Sequence, residues 1–237
     1  MEKVTAIIPT FNRFNHLMNA IDSIKKQTYK NIEIIVVNDC STQKEYYEYN
    51  WEENGICIIH LEENSKKKFG FRYGDGYVRK KKFGYGYACA GYVRKKGIEK
   101  ASGKYIAFCD DDDIWVPNKL KLQINAMKKH GCKMSSTDGL IGKGVYDKNK
   151  RYKKYNAQHF YKRLQNIYRS KGSKRLDNGF PDIWDLKFLK IHNCAIASSV
   201  VVDKEVLDKI NIPKYRKGRQ DYDCWLKVLE HTNSVYL

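Results

Sequence analysis

The stretch Tyr105-Ile106-Ala107-Phe108-Cys109-Asp110-Asp111-Asp112-Asp113-Ile114-Trp115 decides how the chain folds and where its chemistry lies. The apolar first part has the length of a buried strand, and four consecutive carboxylates follow it directly. Hard divalent cations such as Mg²⁺ or Mn²⁺ bind carboxylate oxygens together with phosphate oxygens of a substrate. A solvated acidic loop that caps a helix beginning near Pro117 is the alternative, because aspartate favours helix N-termini. Both interpretations place the aspartates at the end of a strand.

Strands and helices alternate before this stretch. Apolar runs predict strands at Val4–Thr10, Ile32–Val37 and Ile56–Leu61, and the spacing of apolar residues predicts helices at His16–Lys26 and Tyr46–Glu53. This alternation predicts an α/β fold with a parallel sheet and right-handed connections. In such sheets, ligands bind at the carboxyl ends of the strands.

Polar residues stand at three of these predicted strand ends. They are Thr10, Asp39 and the run Asp110–Asp113. Because parallel strands end at the same edge of a sheet, the sequence predicts that these side chains form one site.

The second half of the chain is less regular. A helix is predicted after Pro117, a strand at Met134–Asp138, and helical spacing at Phe160–Tyr168 within a basic region, 142–178. Strand character returns at Ile191–Val202. A short helix at Asp203–Ile210 and an amphipathic helix at Arg219–Leu229 complete the prediction, the latter with Asp221 and Asp223 in its first turn.

Composition limits the class of protein. With 237 residues, 42% hydrophobic and 30% charged, the chain is typical of a folded globular protein. No apolar run is long enough to span a bilayer, and the N-terminus has no apolar run typical of a signal peptide, so we expect a cytoplasmic protein without a transmembrane segment. The seven scattered cysteines contain no C-x-x-C pair, which argues against a zinc site. The net charge of +18 indicates an anionic partner: nucleotide phosphates, nucleic acid, a membrane surface or an acidic glycan.

Residues 64–96 contain a short tandem repeat. Lys66–Phe71 resembles Lys80–Tyr85, and Gly76–Lys80 resembles Gly91–Lys95. Two copies are too few for a solenoid, so we interpret the segment as an insertion in a loop. Its basic and aromatic residues would suit single-stranded nucleic acid, a flap over an anionic ligand, or neither.

Taken together, the motifs resemble those of the family 2 glycosyltransferases, which are inverting enzymes of GT-A fold that use nucleotide-sugar donors. Four motifs occur in the family's order over nearly the whole chain: V-T-A-I-I-P-T-F-N-R, V-V-N-D-C-S, the segment from Arg94 through the four aspartates, and Q-D-Y-D-C-W-L-K-V. The resemblance implies one GT-A domain over residues 1–237 with a Rossmann-like, mainly parallel sheet flanked by helices. Residues 1–112 would form the nucleotide-binding half, with the repeat insertion at 64–96, and 113–237 the acceptor-side half.

The resemblance also implies roles for individual residues. The nucleotide-binding residues would be Pro9, Thr10, Asn12, Arg13, Asp39, Arg94 and Asp111. Asp39 would accept a hydrogen bond from the base, and Asp111 would contact the ribose or the donor sugar. Arg94 matches the arginine of the family's A-R-N-x-G pattern, although this chain reads Val93-Arg94-Lys95 there, and Arg79 in the repeat stands at the wrong distance.

The remaining implied roles concern metal and catalysis. Asp112, supported by Asp110, would bind Mn²⁺ or Mg²⁺, whereas Asp113 would only cap the following helix. Asp221 would be the catalytic base, next to Gln220, where the family often has glutamate. The implied reaction moves a sugar from a nucleotide-sugar donor, with UDP-sugar favoured, to a hydroxyl on a glycan, protein or other acceptor. No stable nucleic-acid partner is expected.

Three other functions stay open from the sequence. A nucleotidyltransferase would share the fold, but it would carry a glycine-rich, basic phosphate loop after the first strand, where this chain reads Phe11-Asn12-Arg13-Phe14. A basic nucleic-acid-binding module would bind with a steep salt dependence and would not need Asp112. A degenerate member of the family would bind nucleotide sugar without turnover.

Overall fold

A computed structural model of the protein describes residues 1–69, 90–142, 147, 149–155, 160–210 and 220–237. Most of the repeat, including Arg79, lies outside the described residues. The strands are β1 (Val4–Thr10), β2 (Ile32–Asn38), β3 (Ile56–His60), β4 (Tyr105–Phe108), β5 (Met134–Ser136), β6 (Leu140–Ile141), β7 (Lys153–Lys154), β8 (Ile183–Trp184), β9 (Val201–Asp203) and β10 (Ser234–Tyr236).

One large sheet organises the described residues. Eight strands follow the order β3-β2-β1-β4-β9-β5-β10-β8, and β6 pairs separately with β7. The first four strands in this order are parallel to one another, as are β5 and β10. In contrast, β9 runs antiparallel to both of its neighbours, and β8 is antiparallel to β10. The predicted mainly parallel sheet is therefore confirmed, with an antiparallel strand at its centre.

Helices cover both faces of this sheet. They are α1 (Phe14–Lys25), α2 (Glu45–Glu48), α3 (Ser65–Phe69), α4 (Ala90–Lys100), α5 (Lys119–His130), α6 (Tyr161–Ser170), α7 (Leu186–Leu189), α8 (Lys204–Lys209) and α9 (Gln220–Val228). Because side chains alternate along a strand, Ala6 and Ile8 of β1 pack with α1 and α5, whereas Ile7 packs in the opposite layer with α4, α6 and α9. Among the described residues, no helix has both the length and the apolar character needed to cross a bilayer.

Close packing of α4 on β1 depends on a glycine. A Cβ atom added at Gly97 would lie 2.5 Å from Cγ2 of the buried Ile7. Any larger residue would push the helix away from the sheet or force Ile7 to move. Since α4 also carries Arg94, this packing fixes the height of Arg94 above the sheet.

Several predicted elements were wrong in extent. The helix expected at Tyr46–Glu53 is only the short α2, and the strand expected over Ile191–Val202 is limited to β9, preceded by a 3-10 turn at Ala197–Ser199. Asp113 does not cap the helix after the acidic run, because α5 begins only at Lys119, after Asn118.

Candidate active site

The carboxyl ends of three parallel strands form one edge of the sheet. Since β1 lies between β2 and β4, Thr10 at the end of β1 lies between Asp39, which follows β2, and Asp110, which follows β4. Backbone hydrogen bonds extend the pairing beyond the strands, from Asp39 N to Thr10 O and from Cys109 N to Ile7 O. These bonds fix where the loops leave the sheet, and the candidate site is built on them.

Asp111 lies buried at the end of β1 rather than on the surface. The Thr10 hydroxyl donates to its carboxylate at 2.8 Å, and the same Thr10 oxygen lies 2.6 Å from the Tyr46 hydroxyl. Burial raises the pKa of Asp111 to about 6, although Arg13 and the Thr10 hydrogen bond oppose this shift. The Asp111 side chain therefore sits at the base of the acidic loop.

Arg13 clamps the acidic loop from the other side. Its guanidinium lies 2.7 Å from Asp111 and 2.6 Å from Asp112. Both Arg13 and Asp112 remain about half exposed, in contrast to Asp111. Asp112 therefore presents its carboxylate to solvent at the carboxyl edge of the sheet.

Asp110 is held by two other parts of the chain. The guanidinium of Arg94, on α4, lies 2.5 Å from its carboxylate, and its backbone N–H donates to the Ser198 hydroxyl at 2.8 Å. Ser198 also hydrogen-bonds the carboxylate of Asp113, and desolvation by the surrounding loop raises the pKa of Asp113 although this bond opposes the shift. Asp113 thus anchors the loop to the 3-10 turn before β9.

Residues of the segment after β3 donate hydrogen bonds to Asp39. One carboxylate oxygen accepts from the Ser65 backbone N–H and the other from the Ser65 hydroxyl, both at 2.6 Å. Asn64 donates to the Asp39 backbone carbonyl at 2.8 Å. Desolvation raises the pKa of Asp39, and the Ser65 hydrogen bonds oppose that shift. The Asn64 amide also donates to Oδ2 at 3.3 Å, so Oδ1 is the oxygen that keeps a lone pair for a bound base.

The loop between β1 and α1 has a defined shape. Asn12 adopts a left-handed backbone with φ 51°, and its amide oxygen accepts from the Thr42 backbone N–H at 2.7 Å. Its own N–H donates to the Ser41 hydroxyl at 2.9 Å. Pro9, in the last part of β1, precedes this loop and is partly buried. Asn12 therefore ties the first loop to the loop after β2.

Asp221 lies in the first turn of α9, beside Asn193 and near Arg94. The Asn193 amide donates to its carboxylate at 3.5 Å. The neighbouring residue, Gln220, accepts a hydrogen bond from the backbone N–H of Gly91 at 2.5 Å, which places the start of α9 against the start of α4. Arg94 follows Gly91 by one helical turn, and both Asp110 and Asp221 help to raise its pKa against the desolvation of its buried side chain.

The predicted residues thus fall into three connected groups. Thr10, Arg13, Asp111 and Asp112 contact one another, Arg94 joins Asp110 and lies near Asp221, and Asp39 stands with Ser65 at the next strand end. Tyr46, Asn193 and Ser198 were missed. No sequence signal marks them, because each reaches the site from a distant segment whose local pattern is unremarkable.

Asp110 and Asp112 are the carboxylates that could hold a divalent cation. Each is partly exposed and uses one oxygen for an arginine, which leaves the second oxygen for a metal. Within the described ranges, no three histidine, cysteine or acidic side chains converge on one point. Mg²⁺ and Mn²⁺ need only one or two protein carboxylates when a diphosphate supplies further oxygens, so this pair fits such an ion.

Comparison with known proteins identifies the family. The profile described as Glycosyl transferase family 2 matches residues 5–78 and 75–189. The chain belongs to glycosyl transferase family 2. The predicted resemblance is thereby confirmed. Among its family 2 relatives, an uncharacterized glycosyltransferase of Rickettsia bellii is 30% identical over 95% of this chain. The chain spans only 26% of that protein's length, and 60% of an uncharacterized glycosyltransferase of Rickettsia typhi.

One relative, WfgD of Escherichia coli, has a name that states its donor and acceptor: UDP-Glc:alpha-D-GlcNAc-diphosphoundecaprenol beta-1,3-glucosyltransferase. It is 25% identical over 97% of this family 2 chain, which covers 71% of its length. Among solved structures, S. aureus TarS in complex with UDP-GlcNAc has a TM-score of 0.60 at 19% identity, covering 99% of this chain and 56% of TarS. The mannosyltransferase PcManGT of Pyrobaculum calidifontis, in complex with GDP-Man and Mn²⁺, has a TM-score of 0.61 at 15% identity, covering 100% of this chain and 55% of its own. The predicted GT-A fold is confirmed by the sheet and by these neighbours.

Proposed function

We propose that this family 2 chain transfers a sugar from a nucleotide-sugar donor to an acceptor hydroxyl, with inversion at the anomeric carbon and with Mn²⁺ or Mg²⁺ bound by Asp112 and Asp110. UDP-sugar is the favoured donor. Asp221 is the proposed catalytic base. We further propose that the chain forms a single domain with a nucleotide-binding half, 1–112, and an acceptor-side half, 113–237.

The observation that carries the proposal is the position of Arg94. It pairs with Asp110 at 2.5 Å, and it lies one turn from Gly91, whose N–H bonds Gln220 next to Asp221. This arrangement supports a common site, because the carboxylates assigned to the donor and the carboxylate assigned to the acceptor approach the same buried arginine. A nucleotide-binding module without turnover would have no need for the second carboxylate.

On the donor side, the residues of the chain provide charge and hydrogen-bonding groups. Asp110 and Asp112 would hold a divalent cation, and such an ion would supply stabilisation of the negative charge that develops on the departing β-phosphate. Arg13 fixes the orientation of Asp112 through a 2.6 Å contact, so the loop is arranged before the donor binds. Oδ1 of Asp39, which retains a free lone pair, would accept from the N–H of the base.

On the acceptor side, Asp221 would take the proton of the attacking hydroxyl. A hydroxyl is a weak nucleophile, and a carboxylate within hydrogen-bonding distance makes it effective. The oxygen of the acceptor then forms the new bond to the anomeric carbon while the bond from that carbon to the β-phosphate oxygen breaks. Attack from the face opposite the leaving group inverts the centre, and no covalent intermediate with the protein is required.

The relatives bear on the choice of donor and acceptor. The name of WfgD specifies a UDP-glucose donor and an acceptor sugar on diphosphoundecaprenol, and TarS was solved with UDP-GlcNAc. PcManGT was solved with GDP-Man and Mn²⁺. We therefore favour UDP over GDP for this chain and expect the acceptor hydroxyl to belong to a sugar.

The experiment is a panel of UDP-, GDP- and dTDP-sugars tested with and without Mn²⁺, first for thermal stabilisation and then for hydrolysis of the donor. We expect stabilisation by UDP-sugars that requires Mn²⁺ and is lost in Asp112→Ala. A matched control is Asp22→Ala, which removes an exposed carboxylate on α1. If no nucleotide sugar stabilises the protein with the metal present, the proposed function is wrong. If UDP-sugars bind but are neither hydrolysed nor transferred, the chain is a binding protein.

A further inference from the structure

The positive charge of the chain is segregated. Residues 148–176 contain eleven lysines and arginines and no aspartate or glutamate, and residues 64–96 contain eleven with a single aspartate. These two segments carry more than the whole surplus of +18, so the rest of the chain is slightly acidic. A coding bias toward lysine would distribute the positive charge along the whole chain. Concentration of the charge in two segments instead indicates a surface that binds an anionic partner.

The described part of the segment 148–176 forms an exposed basic surface. It consists of residues 149–154, which include β7, and residues 161–174, which include α6. Among its cations, Arg169 pairs with Asp177 at 2.8 Å, whereas Lys153, Lys154, Lys162 and Arg163 are exposed and form no ion pair within the described residues. Helix α6 buries Leu164 and Tyr168 and turns its charged residues outward.

This basic surface adjoins the candidate active site. The hairpin of β6 and β7 begins directly after β5, and Tyr155 N donates to Gly139 O at 2.7 Å. The rings of Tyr155 and Phe160 are in contact at 5.3 Å, and Phe160 contacts His192 at 4.7 Å, next to the Asn193 that binds Asp221. Contacts through Phe160, His192 and Asn193 therefore connect this basic surface to the proposed base.

Two exposed aliphatic side chains accompany the lysines. On β6, Leu140 is 53% exposed and Ile141 is 40% exposed. Leu140 pairs across the hairpin with Lys154, and Ile141 pairs with Lys153. Aliphatic tips beside lysines are suited to the interface of a bilayer, where the apolar groups enter the acyl boundary and the amines meet lipid phosphates.

We propose that residues 149–154 and α6, together with Leu140 and Ile141, form a docking surface for the anionic phospholipid headgroups of a bilayer. Docking would bring the carboxyl edge of the sheet close to the membrane, where an acceptor carried on a lipid would reach Asp221. Binding itself rests on the surface charge and the aliphatic tips, and it does not depend on the proposed sugar transfer.

Nucleic acid is the other polyanion that a basic surface can bind, and the observations favour lipid. Sequence-independent binding of single strands uses exposed aromatic side chains for stacking. On this surface, the ring of Tyr155 packs on Phe160, and Tyr152 lies against Gly142, since a Cβ at that glycine would be 2.6 Å from the Tyr152 ring. Among the described residues of this surface, the exposed apolar side chains, Leu140 and Ile141, are aliphatic, and such side chains gain by entering a bilayer.

The test is sedimentation of the whole chain with vesicles of phosphatidylglycerol and phosphatidylcholine, compared with phosphatidylcholine alone. We expect binding that requires phosphatidylglycerol and weakens with salt. The variant Lys153→Gln/Lys154→Gln/Lys162→Gln/Arg163→Gln should lose at least tenfold in partition coefficient, because each cation near an anionic bilayer contributes roughly fivefold. Leu140→Ser/Ile141→Ser should weaken binding while leaving its salt dependence.

A charge-matched control separates a local surface from net charge. Lys25→Gln/Lys26→Gln/Lys121→Gln/Lys129→Gln removes four exposed cations from α1, its C-cap and α5, on the opposite face of the sheet. Equal loss in this control would overturn the proposal, as would absence of vesicle binding by the unmodified chain. Tighter binding to a single-stranded oligonucleotide than to the vesicles would assign the surface to nucleic acid instead. Because no donor is present, none of these results depends on whether the protein transfers sugar.

Discussion

The guanidinium of Arg94 lies 2.5 Å from the carboxylate of Asp110, and this contact links helix α4 to the acidic loop. The Arg94 side chain is only 12% exposed, and Asp221 contributes to its electrostatic environment from α9. One buried cation therefore lies close to both a proposed metal ligand and the proposed base. Its removal would leave Asp110 unpaired beside three other carboxylates.

We predict that Arg94→Met weakens Mn²⁺-dependent binding of UDP by at least tenfold, because Asp110 loses the contact that orients it. Binding of UDP in the presence of a chelator should change little, since the Arg94 guanidinium contacts Asp110 of the acidic loop. Arg94→Lys should restore part of the affinity, because it keeps the charge and loses the forked geometry. Calorimetric titration with UDP, with and without Mn²⁺, measures the metal-dependent and the metal-independent affinity of each variant.

Arg169→Met is the matched control for Arg94, since it removes an exposed arginine from an Arg–Asp pair. Exposed pairs contribute about 0–1 kcal/mol, so this variant should retain UDP binding. Equal losses for Arg94→Met with and without Mn²⁺ would instead indicate direct contact with the nucleotide, as the family resemblance implies for this position.

Asp221→Asn should keep donor binding and lose turnover by about 10²-fold or more, the usual contribution of a general base. The amide retains the shape of the carboxylate and the position beside Asn193, but it cannot accept the proton. Transfer or hydrolysis of UDP-GlcNAc, measured beside UDP affinity, separates the two effects. Glu230→Gln, which changes an exposed acid just beyond α9, should retain turnover. Normal turnover by Asp221→Asn would exclude Asp221 as the base.

Lys119→Met should increase stability, and the increase should depend on pH. The Lys119 amine is buried, donates to Gln123 at 2.7 Å and lies 4.2 Å from the centre of the Trp115 ring. Burial lowers its pKa to about 7 from the ordinary lysine value of 10.5. A lowered lysine pKa in the folded state means that the destabilising effect is fully present below pH 7 and fades as pH rises toward 10.5.

Urea unfolding at pH 6 and at pH 9 measures this difference. The gain in free energy of unfolding from Lys119→Met should be larger at the lower pH, by about 1.4 kcal/mol for each pH unit between the two pKa values. Lys121→Met, on the exposed side of the same helix, should show no such pH dependence. A gain that is equal at both pH values would mean that Lys119 titrates normally.

Gly97→Ala should destabilise the fold by about 1–3 kcal/mol, because its Cβ would overlap Ile7 and strain the packing of α4 on β1. In an exposed helical position, the same change would stabilise the helix by about 1 kcal/mol. A loss of stability would therefore indicate that the added Cβ overlaps Ile7, and a gain would indicate that α4 has room for it. Thermal and denaturant unfolding measure it. Lys100→Ala, exposed at the end of α4, should remain within about 0.5 kcal/mol of the unmodified chain.

Local sequence patterns determined the elements that bear the site. The runs Val4–Thr10, Ile32–Val37 and Tyr105–Phe108 are apolar and short, so burial of their side chains on both faces predicts strands, and polar residues directly after them predict a site at one edge. The order of four motifs was enough for the family. These features depend on residues close in sequence, and they could be predicted without the fold.

Other features depend on segments far apart in sequence. Asp113 was expected to cap a helix, but Ser198, which follows it by 85 positions, holds its carboxylate instead. Asn193 reaches Asp221 across 28 positions, and Gly91 meets Gln220 across 129. Such pairs leave no periodic or local signal, since either partner alone has an ordinary sequence context.

The sequence by itself determined which carboxylates stand at the strand ends, because that depends only on where apolar runs stop. Only the tertiary structure decided how the four aspartates divide: Asp111 is buried against Thr10, Asp112 is half exposed beside Arg13, and Asp110 pairs with Arg94. The physical reason is that four identical side chains in sequence acquire different solvation and different partners only when β1, α4 and the turn before β9 pack around them.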